Sequence, residues 1–541
     1  MNVLILDLEV ENYEHLGSIA SPRNPQNYVV APGWAYGMGE VQHAYYSSKE
    51  ESRDWLPSLD GVDCIVAHNA PFELEWMLHD HWDKLIQYFA RGGRVFCTAY
   101  AEYLLSNQQS QYPSLDETAP KYGGTRKIDE VKLLWEQGYK TSQIDRDLLV
   151  EYLAGPGGDI ENTRKVFFGQ AQELIARGMW NMAFARMDGM LCNSFAMHAG
   201  LHVDRKRAWE LKAQNEKALA AIDEAIAGAT SHIPPEVNFN INSDFHVSAW
   251  LFGGPIKYRQ RDVWYNADGT PKYETEDAWQ FADGEFLFVS AAEALSESDA
   301  SELVLTHGPL VRYASGKNKG ARKVFKAPTC TPKLKWYDKV LNVAPVCDLS
   351  KLPEDVRQEW LKDFKGARKL CDDSPVYSSS REALEVLAMR KEYPDWVRDV
   401  LNLLLKRAKI DKDLGTYYLR EKFDAEGNVI KTSGMLQYLG DDDIVHHTLN
   451  CTSTVTTRLS SNKPNFQNIT RAEQLEDGSW TSEVKSIFTS RFGEDGFIIE
   501  ADYSALEVVT LAALSKDPAL MQATRVSLKR GSQRRSASAV A

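Results

Sequence analysis

The pattern of apolar and polar residues predicts alternating strands and helices over about the first 180 residues. Val3–Leu6 and Cys64–Ala67 are apolar runs of strand length, each followed by polar residues. Glu73–Leu85 and Cys97–Leu105 are helical stretches between and after these strands. Strands that alternate with helices in this way are typical of an α/β domain.

The remaining chain divides into segments of different character. A long, alanine-rich pattern from about Gln170 to Ala227 predicts helices without strands. Residues 230–345 mix turn sequences with charge runs, which predicts an insertion rich in hairpins. Helical character returns from Pro353 to Lys412, and the apolar run Phe497–Ile499 predicts one more strand.

Composition places the chain among ordinary globular proteins. It has 541 residues, 43% hydrophobic and 26% charged, so we expect about three or four domains. None of the 7 cysteines forms a CxxC pair, which argues against a zinc ribbon or a disulfide framework. Asp7 and Glu9 interrupt the N-terminal apolar run, and no run reaches the length of a membrane span. We therefore expect a cytoplasmic protein with no membrane partner.

The net charge of −14 does not itself indicate nucleic-acid binding, but the distribution of charge does. Residues 311–339 contain nine basic side chains against one acid, with aromatic residues between them. Basic side chains replace counterions on phosphates, and aromatic rings stack on unpaired bases. The DNA-binding candidates in this segment are Lys317, Lys319, Arg322 and Lys323. A solvated, lysine-rich insertion is the alternative that composition leaves open.

Three groups of acidic residues stand out in the first domain. Asp7 and Glu9 are two residues apart at the end of the first strand, so they point to the same face. Two acids on one face repel each other unless a cation lies between them. His68-Asn69-Ala70-Pro71-Phe72-Glu73 follows the second apolar run, and Asp159 opens Asp-Ile-Glu-Asn-Thr after a Gly-Pro-Gly-Gly sequence.

This ordered set resembles the three motifs of the DEDD-type 3′–5′ exonucleases, which have a ribonuclease H-like fold. The resemblance implies that Asp7, Glu9, Glu73 and Asp159 are catalytic ligands of two divalent cations, Mg²⁺ or Mn²⁺. It also implies that Asn69 contacts DNA. The cations would activate water and stabilise the leaving oxygen of a phosphodiester.

Two positions depart from the family pattern. The second motif usually has Asp where this chain has Glu73, and Glu75 is a weaker competitor for that role. The family's tyrosine usually lies four residues before the last Asp, where this chain has Gly155. Tyr152 lies seven residues before Asp159, and a looped-out Gly-Pro-Gly-Gly insertion would restore its position as a catalytic residue.

A second set of motifs resembles family A DNA polymerases, with the bacteriophage branch most similar. The motifs are Thr454–Ile469, Asp502–Glu507, and the thumb-like Phe239–Ser243 with Trp250–Gly253. The resemblance implies that Asp502 is a catalytic metal ligand, that Tyr503 offers it a backbone carbonyl, and that Glu507 crowds the sugar 2′ position. It further implies contacts to primer-template DNA from Arg458, Asn465 and Gln467.

The two resemblances together imply a domain order. We expect a ribonuclease H-like exonuclease domain at 1–180, a mainly helical thumb region with the basic insertion at 181–435, the N-terminal part of an α+β palm at 436–523, and a disordered basic tail at 524–541. The fingers helix and the second palm motif of the family do not occur in this sequence. We therefore expect a truncated or split polymerase chain, which uses deoxynucleoside triphosphates only with a second chain that carries those parts.

Two other functions remain open. One is a stand-alone 3′–5′ exonuclease that acts on RNA or DNA, and the other is an inactive fragment that only binds primer-template. A comparison of exonuclease rates on DNA and RNA distinguishes the stand-alone exonuclease from a proofreading domain. Mg²⁺-dependent degradation distinguishes these two enzymes from the inactive fragment. If the chain is of phage origin, we expect it in the cytoplasm of the host cell.

Overall fold

The computed structural model describes residues 1–126, 130–292, 295–361, 376–470, 473–474, 480–499, 501–503 and 505–525. The chain divides into two compact units, Met1–Glu216 with Lys412–Ala541, and Lys217–Asp411. These units are not the four domains expected from the motifs, whose boundaries stay a prediction. Among the described helices, none is both long enough and apolar enough to cross a lipid bilayer.

The first unit opens with a five-stranded mixed sheet and the helices that pack on it. The five strands of the sheet are β1 (Val3–Val10), β4 (Val29–Tyr36), β5 (Gln42–His43), β6 (Cys64–Ala67) and β7 (Arg94–Cys97), while β2 (Glu14–His15) and β3 (Ser18–Ile19) pair with each other. Its helices are α1 (Pro71–Asp80), α2 (Trp82–Ala90), α3 (Thr98–Leu105), α4 (Leu115–Thr118), α5 (Glu130–Glu136), α6 (Arg146–Ala154), α7 (Asp159–Ala176) and α8 (Trp180–Ala199). The predicted mixture of strands and helices is confirmed.

Strand β1 lies in the middle of the sheet, whose order is β5-β4-β1-β6-β7. It pairs antiparallel with β4 and parallel with β6. Leu4, Ile5 and Leu6 are completely buried, so the apolar run anchors the strand in the core. The strand continues to Val10, which corrects the prediction that the acids follow its end. Pairing with β4 extends as far as Val10, with a register shift after Glu9.

The chain between the sheet and the second unit is helical with one exception. Strand β8 (Leu201–His202) follows α8, and α9 (Arg205–Ala229) is the long helix that the alanine-rich pattern predicts. The prediction of helices without strands was therefore wrong at β8. Its partner is a strand from the C-terminal part of the chain, which local sequence does not reveal.

The second unit contains the predicted hairpin-rich insertion. Its strands are β9 (Gly254–Val263), β10 (Tyr273–Gln280), β11 (Phe286–Phe288), β12 (Val324–Pro332) and β13 (Leu334–Val343). Its helices are α10 (Asp244–Phe252), α11 (Val289–Ala292), α12 (Glu297–His307), α13 (Glu354–Trp360), α14 (Arg381–Ala388) and α15 (Asp395–Thr416), the last continuing into the first unit. Trp250 and Leu401 are completely buried in its core.

The C-terminal part returns to the first unit. Its elements are β14 (Arg420–Phe423), β15 (Val429–Ser433), β16 (Ile444–Val445), β17 (Thr448–Asn450), β18 (Ser460–Asn462), β19 (Glu473–Gln474), β20 (Trp480–Thr481) and α16 (Leu506–Ser515). The predicted strand Phe497–Ile499 is wrong, because these residues have no regular structure. Phe497 and Ile499 are 88% and 87% exposed, and no described strand pairs with them. In the predicted tail, residues 526–541 lie outside the described residues.

Candidate active site

Strand β1 presents the first two acids on one face of the sheet. Asp7 lies opposite Gly33 of β4, and Glu9 lies opposite Ala31. Both acids point the same way because side chains alternate along a strand. Glu9 is buried and Asp7 is half-buried, so the sheet holds two carboxylates in a place of limited hydration.

Helix α7 brings the third acid to this face. Gly158 precedes the helix and Asp159 is its first residue. The side chain of Asn162 fixes the loop before the helix, since its Nδ2 donates to the carbonyls of Thr125 and Gly157 at 3.1 and 2.8 Å. One carboxylate oxygen from each of Asp7, Glu9 and Asp159 lies within 4.8 Å of the others. The three acids of these two elements thus form one compact group of anions.

Close packing on the face of the sheet that carries the acids makes this approach possible. A Cβ atom on Gly33 would lie 2.8 Å from Cγ of Leu153 and 3.0 Å from Cγ1 of Ile160. Leu153 belongs to α6, and Ile160 is the neighbour of Asp159 in α7. A larger residue at position 33 would displace these helices from the strand that carries Asp7.

Helix α1 contributes Glu73 beside the three acids. Asn69 precedes the helix with φ of 66°, a left-handed conformation that asparagine adopts more readily than most residues. Glu73 is 2% exposed, and its Oε2 has no hydrogen-bond partner among the described residues. Burial, with the added repulsion of Asp7, Glu9 and Asp159, raises the pKa of Glu73 well above its ordinary value.

Glu75, the competing acid, has a different environment. Its Oε1 accepts a hydrogen bond from Arg23 at 2.5 Å and another from the Ser21 hydroxyl at 3.3 Å. An ion pair therefore already balances its charge. Glu73 stays the predicted fourth acid, while the oxygens that lie within 4.8 Å of one another are those of Asp7, Glu9 and Asp159.

The acids open into a cleft of about 640 Å³. The residues that line it beside Asp7 and Asp159 include Asn69, Phe72, Tyr100 and Tyr112. The ring of His68 bridges the Thr98 hydroxyl and the Pro113 carbonyl at 2.8 and 3.0 Å, which fixes the loop that bears Asn69. Aromatic and amide side chains beside carboxylates suit a substrate with flat bases and phosphates.

The far wall of the cleft is residues 446–452, which the sequence analysis did not connect with the acids. The Nδ1 of His446 hydrogen-bonds the Met197 carbonyl of α8 at 3.0 Å. The Tyr103 hydroxyl donates to the Thr454 carbonyl at 2.6 Å. These contacts join residues about 250 to 350 positions apart, and no local pattern in the sequence announces them.

Tyr152, the sequence candidate for orienting the nucleophile, lies in α6. Its ring packs edge-on against Trp135 with a centroid separation of 5.9 Å. Tyr100, Tyr112 and Tyr438 line the cleft with the acids. The role of Tyr152 stays a prediction.

The polymerase-like residues form a separate group. The Arg458 guanidinium donates to Oε1 of Glu507 at 2.7 Å, and both side chains are exposed. Asn465 accepts a hydrogen bond from the Gln467 backbone at 3.0 Å, which shapes the turn after β18. Asp502 and Tyr503 are exposed, and Asp502 lies outside the carboxylate group found among the described residues.

Thr457 has a strained backbone conformation. Its φ is 60°, in the left-handed region that β-branched residues seldom adopt.

The basic segment 311–339 does not form one surface. Residues 312–323 make a turn in which Arg312 and Arg322 form a bridge, and Lys317 and Lys319 lie exposed near its tip. The guanidinium of Arg322 lies 4.4 Å from the centroid of the Trp279 ring, and Lys323 lies 4.9 Å from that of Phe325. The end of the segment belongs to β13, which pairs with β9 in a different sheet.

Comparisons with known proteins match the C-terminal part of the chain. The sequence profile of DNA polymerase family A matches residues 377–528. A DNA polymerase of Bacillus phage SP01 is 42% identical over 78 residues, which is 14% of this chain and 8% of that protein. DNA polymerase I of Bacillus subtilis is 32% identical over 148 residues, which is 27% of this chain and 14% of that protein.

Several solved structures match the chain, and one of them aligns with most of it. That structure is the POL domain of Pol1 from M. smegmatis in complex with DNA primer-template and dNTP, with 16% identity and a TM-score of 0.44. The similarity covers 92% of this chain and 58% of that one.

The fold and the carboxylate group define a mixed α/β protein with a candidate metal centre. Residues 377–528 are similar to DNA polymerase family A.

Proposed function

We propose that the first unit is a 3′–5′ exonuclease domain with a ribonuclease H-like fold, which proofreads DNA for a family A polymerase. The observation that carries the proposal is the group formed by Asp7, Glu9 and Asp159, whose ligand oxygens lie within 4.8 Å of one another. Its place in a chain with a DNA polymerase segment favours DNA over RNA as the substrate.

The residues of the site fit Mg²⁺ or Mn²⁺. Carboxylate oxygens are the donors that these cations prefer, and the buried Oε2 of Glu73 has no hydrogen-bond partner among the described residues. Asp7, Glu9, Glu73 and Asp159 would hold two cations, which would supply an activated water and charge stabilisation of the leaving oxygen. Without cations, four neighbouring carboxylates would repel the phosphate of a substrate.

The cleft residues would hold the 3′-terminal nucleotide. The amide of Asn69 contacts the sugar or phosphate, while Phe72 and Tyr112 stack on bases. A tyrosine hydroxyl orients the attacking water, and Tyr152 is our candidate from the motif order. Tyr100→Phe and Tyr112→Phe variants provide the comparison with Tyr152→Phe.

The test of this proposal is degradation of 3′-labelled single-stranded DNA with Mg²⁺. The double variant Asp7→Ala with Glu9→Ala removes two of the acids and should abolish degradation, while Glu75→Ala should retain it. EDTA should stop the reaction and Mn²⁺ should restore it. Undiminished activity of the double variant would disprove the assignment, and faster degradation of RNA than of DNA would favour the stand-alone nuclease.

We further propose that Arg458, Asn465 and Gln467 contact primer-template, and that Asp502, Tyr503 and Glu507 take part in nucleotidyl transfer. Exposed apolar side chains between 497 and 514 support a second chain with the fingers and the rest of the palm, because such a surface needs a cover. Primer extension by the purified chain tests this proposal. Extension that depends on Asp502 would show that no second chain is needed.

Lys317, Lys319, Arg322 and Lys323 are proposed contacts to the DNA backbone. Each phosphate contact adds about 0.7 to the log–log salt slope for a single strand, and about 0.9 for a duplex. Replacing the four residues by serine should flatten the slope. An unchanged slope would favour the alternative, in which this turn is a solvated, lysine-rich insertion that does not bind DNA.

A further inference from the structure

The hairpin formed by β9 and β13 has two different faces. Ile256, Tyr258 and Leu341 point inward and pack on the core of the second unit. The register pairs Lys257 with Val340, Arg259 with Asp338 and Arg261 with Trp336, so these residues share the opposite face. We call this opposite face the outer ribbon face.

The outer ribbon face is basic and apolar at once. Leu334, Trp336 and Val340 are 51%, 49% and 54% exposed. The guanidinium carbons of Arg259 and Arg261 lie 5.8 and 5.3 Å from the centroid of the Trp336 ring. Exposed apolar side chains lower solubility and add nothing to the core. A tryptophan exposed between two arginines therefore indicates a binding surface rather than a merely solvated hairpin.

Charge on this face favours a polyanion. The face carries three basic side chains and one acidic side chain. The basic residues are Lys257, Arg259 and Arg261, and the acid is Asp338, which lies 3.3 Å from the Arg259 side chain. The whole chain has a net charge of −14, so this local excess of positive charge opposes the general trend.

The exposed tryptophan favours single-stranded over duplex DNA. Lys257, Arg259 and Arg261 recur about every 6.6 Å along one strand of the ribbon, so each can contact a phosphate of one nucleic-acid strand. The Trp336 ring offers a stacking surface, and only an unpaired base can use it.

We propose that the outer ribbon face is a binding site for single-stranded DNA, with Trp336 stacking on a base and Lys257, Arg259 and Arg261 contacting successive phosphates. Trp336 belongs to the basic segment 311–339, but no motif or comparison assigns Lys257, Arg259 or Arg261 to DNA binding. The site shares no residue with the carboxylate group, so the two proposals can be tested independently.

The test uses the full chain with Asp7→Ala and Glu9→Ala, in EDTA, so that no probe is degraded. A labelled oligothymidylate of about 20 nucleotides is the single-stranded probe, and a blunt hairpin is the duplex probe. Trp336→Ala should weaken oligothymidylate binding about fivefold or more, while Trp336→Phe should retain most of it, since stacking on one base contributes ~1–3 kcal/mol. Binding of the hairpin should change little.

The double variant Arg259→Ser with Arg261→Ser tests the proposed phosphate contacts. Loss of two phosphate contacts should lower the log–log salt slope for oligothymidylate by about 1.4. The matched control is Arg381→Ser with Lys391→Ser, which removes two charges elsewhere in the same unit and should leave the slope unchanged. The proposal would be wrong if the control variant lowered the salt slope as much as Arg259→Ser with Arg261→Ser. It would also be wrong if Trp336→Ala weakened binding of the hairpin as much as binding of oligothymidylate, or left oligothymidylate binding unchanged.

Discussion

Replacing Glu73 by glutamine should stabilise the metal-free protein and abolish exonuclease activity. The carboxylate is 2% exposed, and its Oε2 has no hydrogen-bond partner among the described residues. A neutral amide of similar shape ends the repulsion from Asp7, Glu9 and Asp159. Leaving a buried polar group without a partner costs about 1–3 kcal/mol, and more when the group is charged. We expect a gain of about 2 kcal/mol in the free energy of unfolding, which corresponds to roughly 4 °C in Tm.

The gain should depend on pH in one direction. The folded-state pKa of Glu73 is raised by burial and by its acidic neighbours. Between the ordinary pKa of Glu and this raised value, the native protein holds a proton that the unfolded chain has lost, so wild-type stability falls as pH rises through that window. The advantage of glutamine should therefore be small near pH ~5 and larger near pH ~8.

Calorimetry in EDTA measures the difference in Tm between the variant and the wild type. The unfolding transition to follow is the one whose Tm changes when Mg²⁺ replaces EDTA. Mg²⁺ should raise the Tm of the wild type more than that of the variant, because cation binding to the native state removes the same repulsion. Glu75→Gln is the matched control on the same helix, and it should give no gain because Arg23 already pairs with Glu75. A Tm of Glu73→Gln below that of the wild type near pH ~8 would refute the reasoning.

Three further substitutions test the packing and the backbone. Gly33→Ala should destabilise the protein by about 1–3 kcal/mol and reduce exonuclease activity, because its Cβ would contact Leu153 and Ile160; denaturant unfolding and nuclease assays measure both. Gly189→Ala, in α8 with no atom within 4 Å of the new Cβ, should instead stabilise by up to ~1 kcal/mol, and a loss of stability would contradict the packing argument. Thr457→Gly should raise the free energy of unfolding by roughly 1 kcal/mol, since φ is 60° there, and no gain in denaturant titrations would show that the strain is relieved elsewhere.

The acidic group could be foreseen from the order of its motifs, which resembles that of the DEDD-type exonucleases, and not from any single acid. Asp7 continues an apolar strand, Glu73 lies in the first turn of a helix after Asn69, and Asp159 opens another helix after a glycine-rich turn. The length of β1 was underestimated, because pairing with β4 holds the acids inside the strand.

The errors arose where an element depends on distant partners. Phe497–Ile499 has the composition of a strand, but a strand forms only beside another one, and no described strand lies there. The basic residues of 311–339 were treated as one surface, although the register assigns Trp336 to a ribbon with Arg261, 75 positions earlier in the chain. Register between distant strands cannot be deduced from composition.

The pairing of β8 with β16 has a consequence for how the protein is made. Leu201 pairs with Val445, roughly 240 residues further along the chain. At synthesis rates of about 5–20 residues per second, β8 and helix α8 beside it wait roughly 10–50 s before their partner leaves the ribosome. During that interval, the surface of α8 that later holds His446 is exposed in the nascent chain. Slowing translation between these positions should therefore lengthen the interval in which this chain binds chaperones, while the sheet around β1 folds from sequence already synthesised.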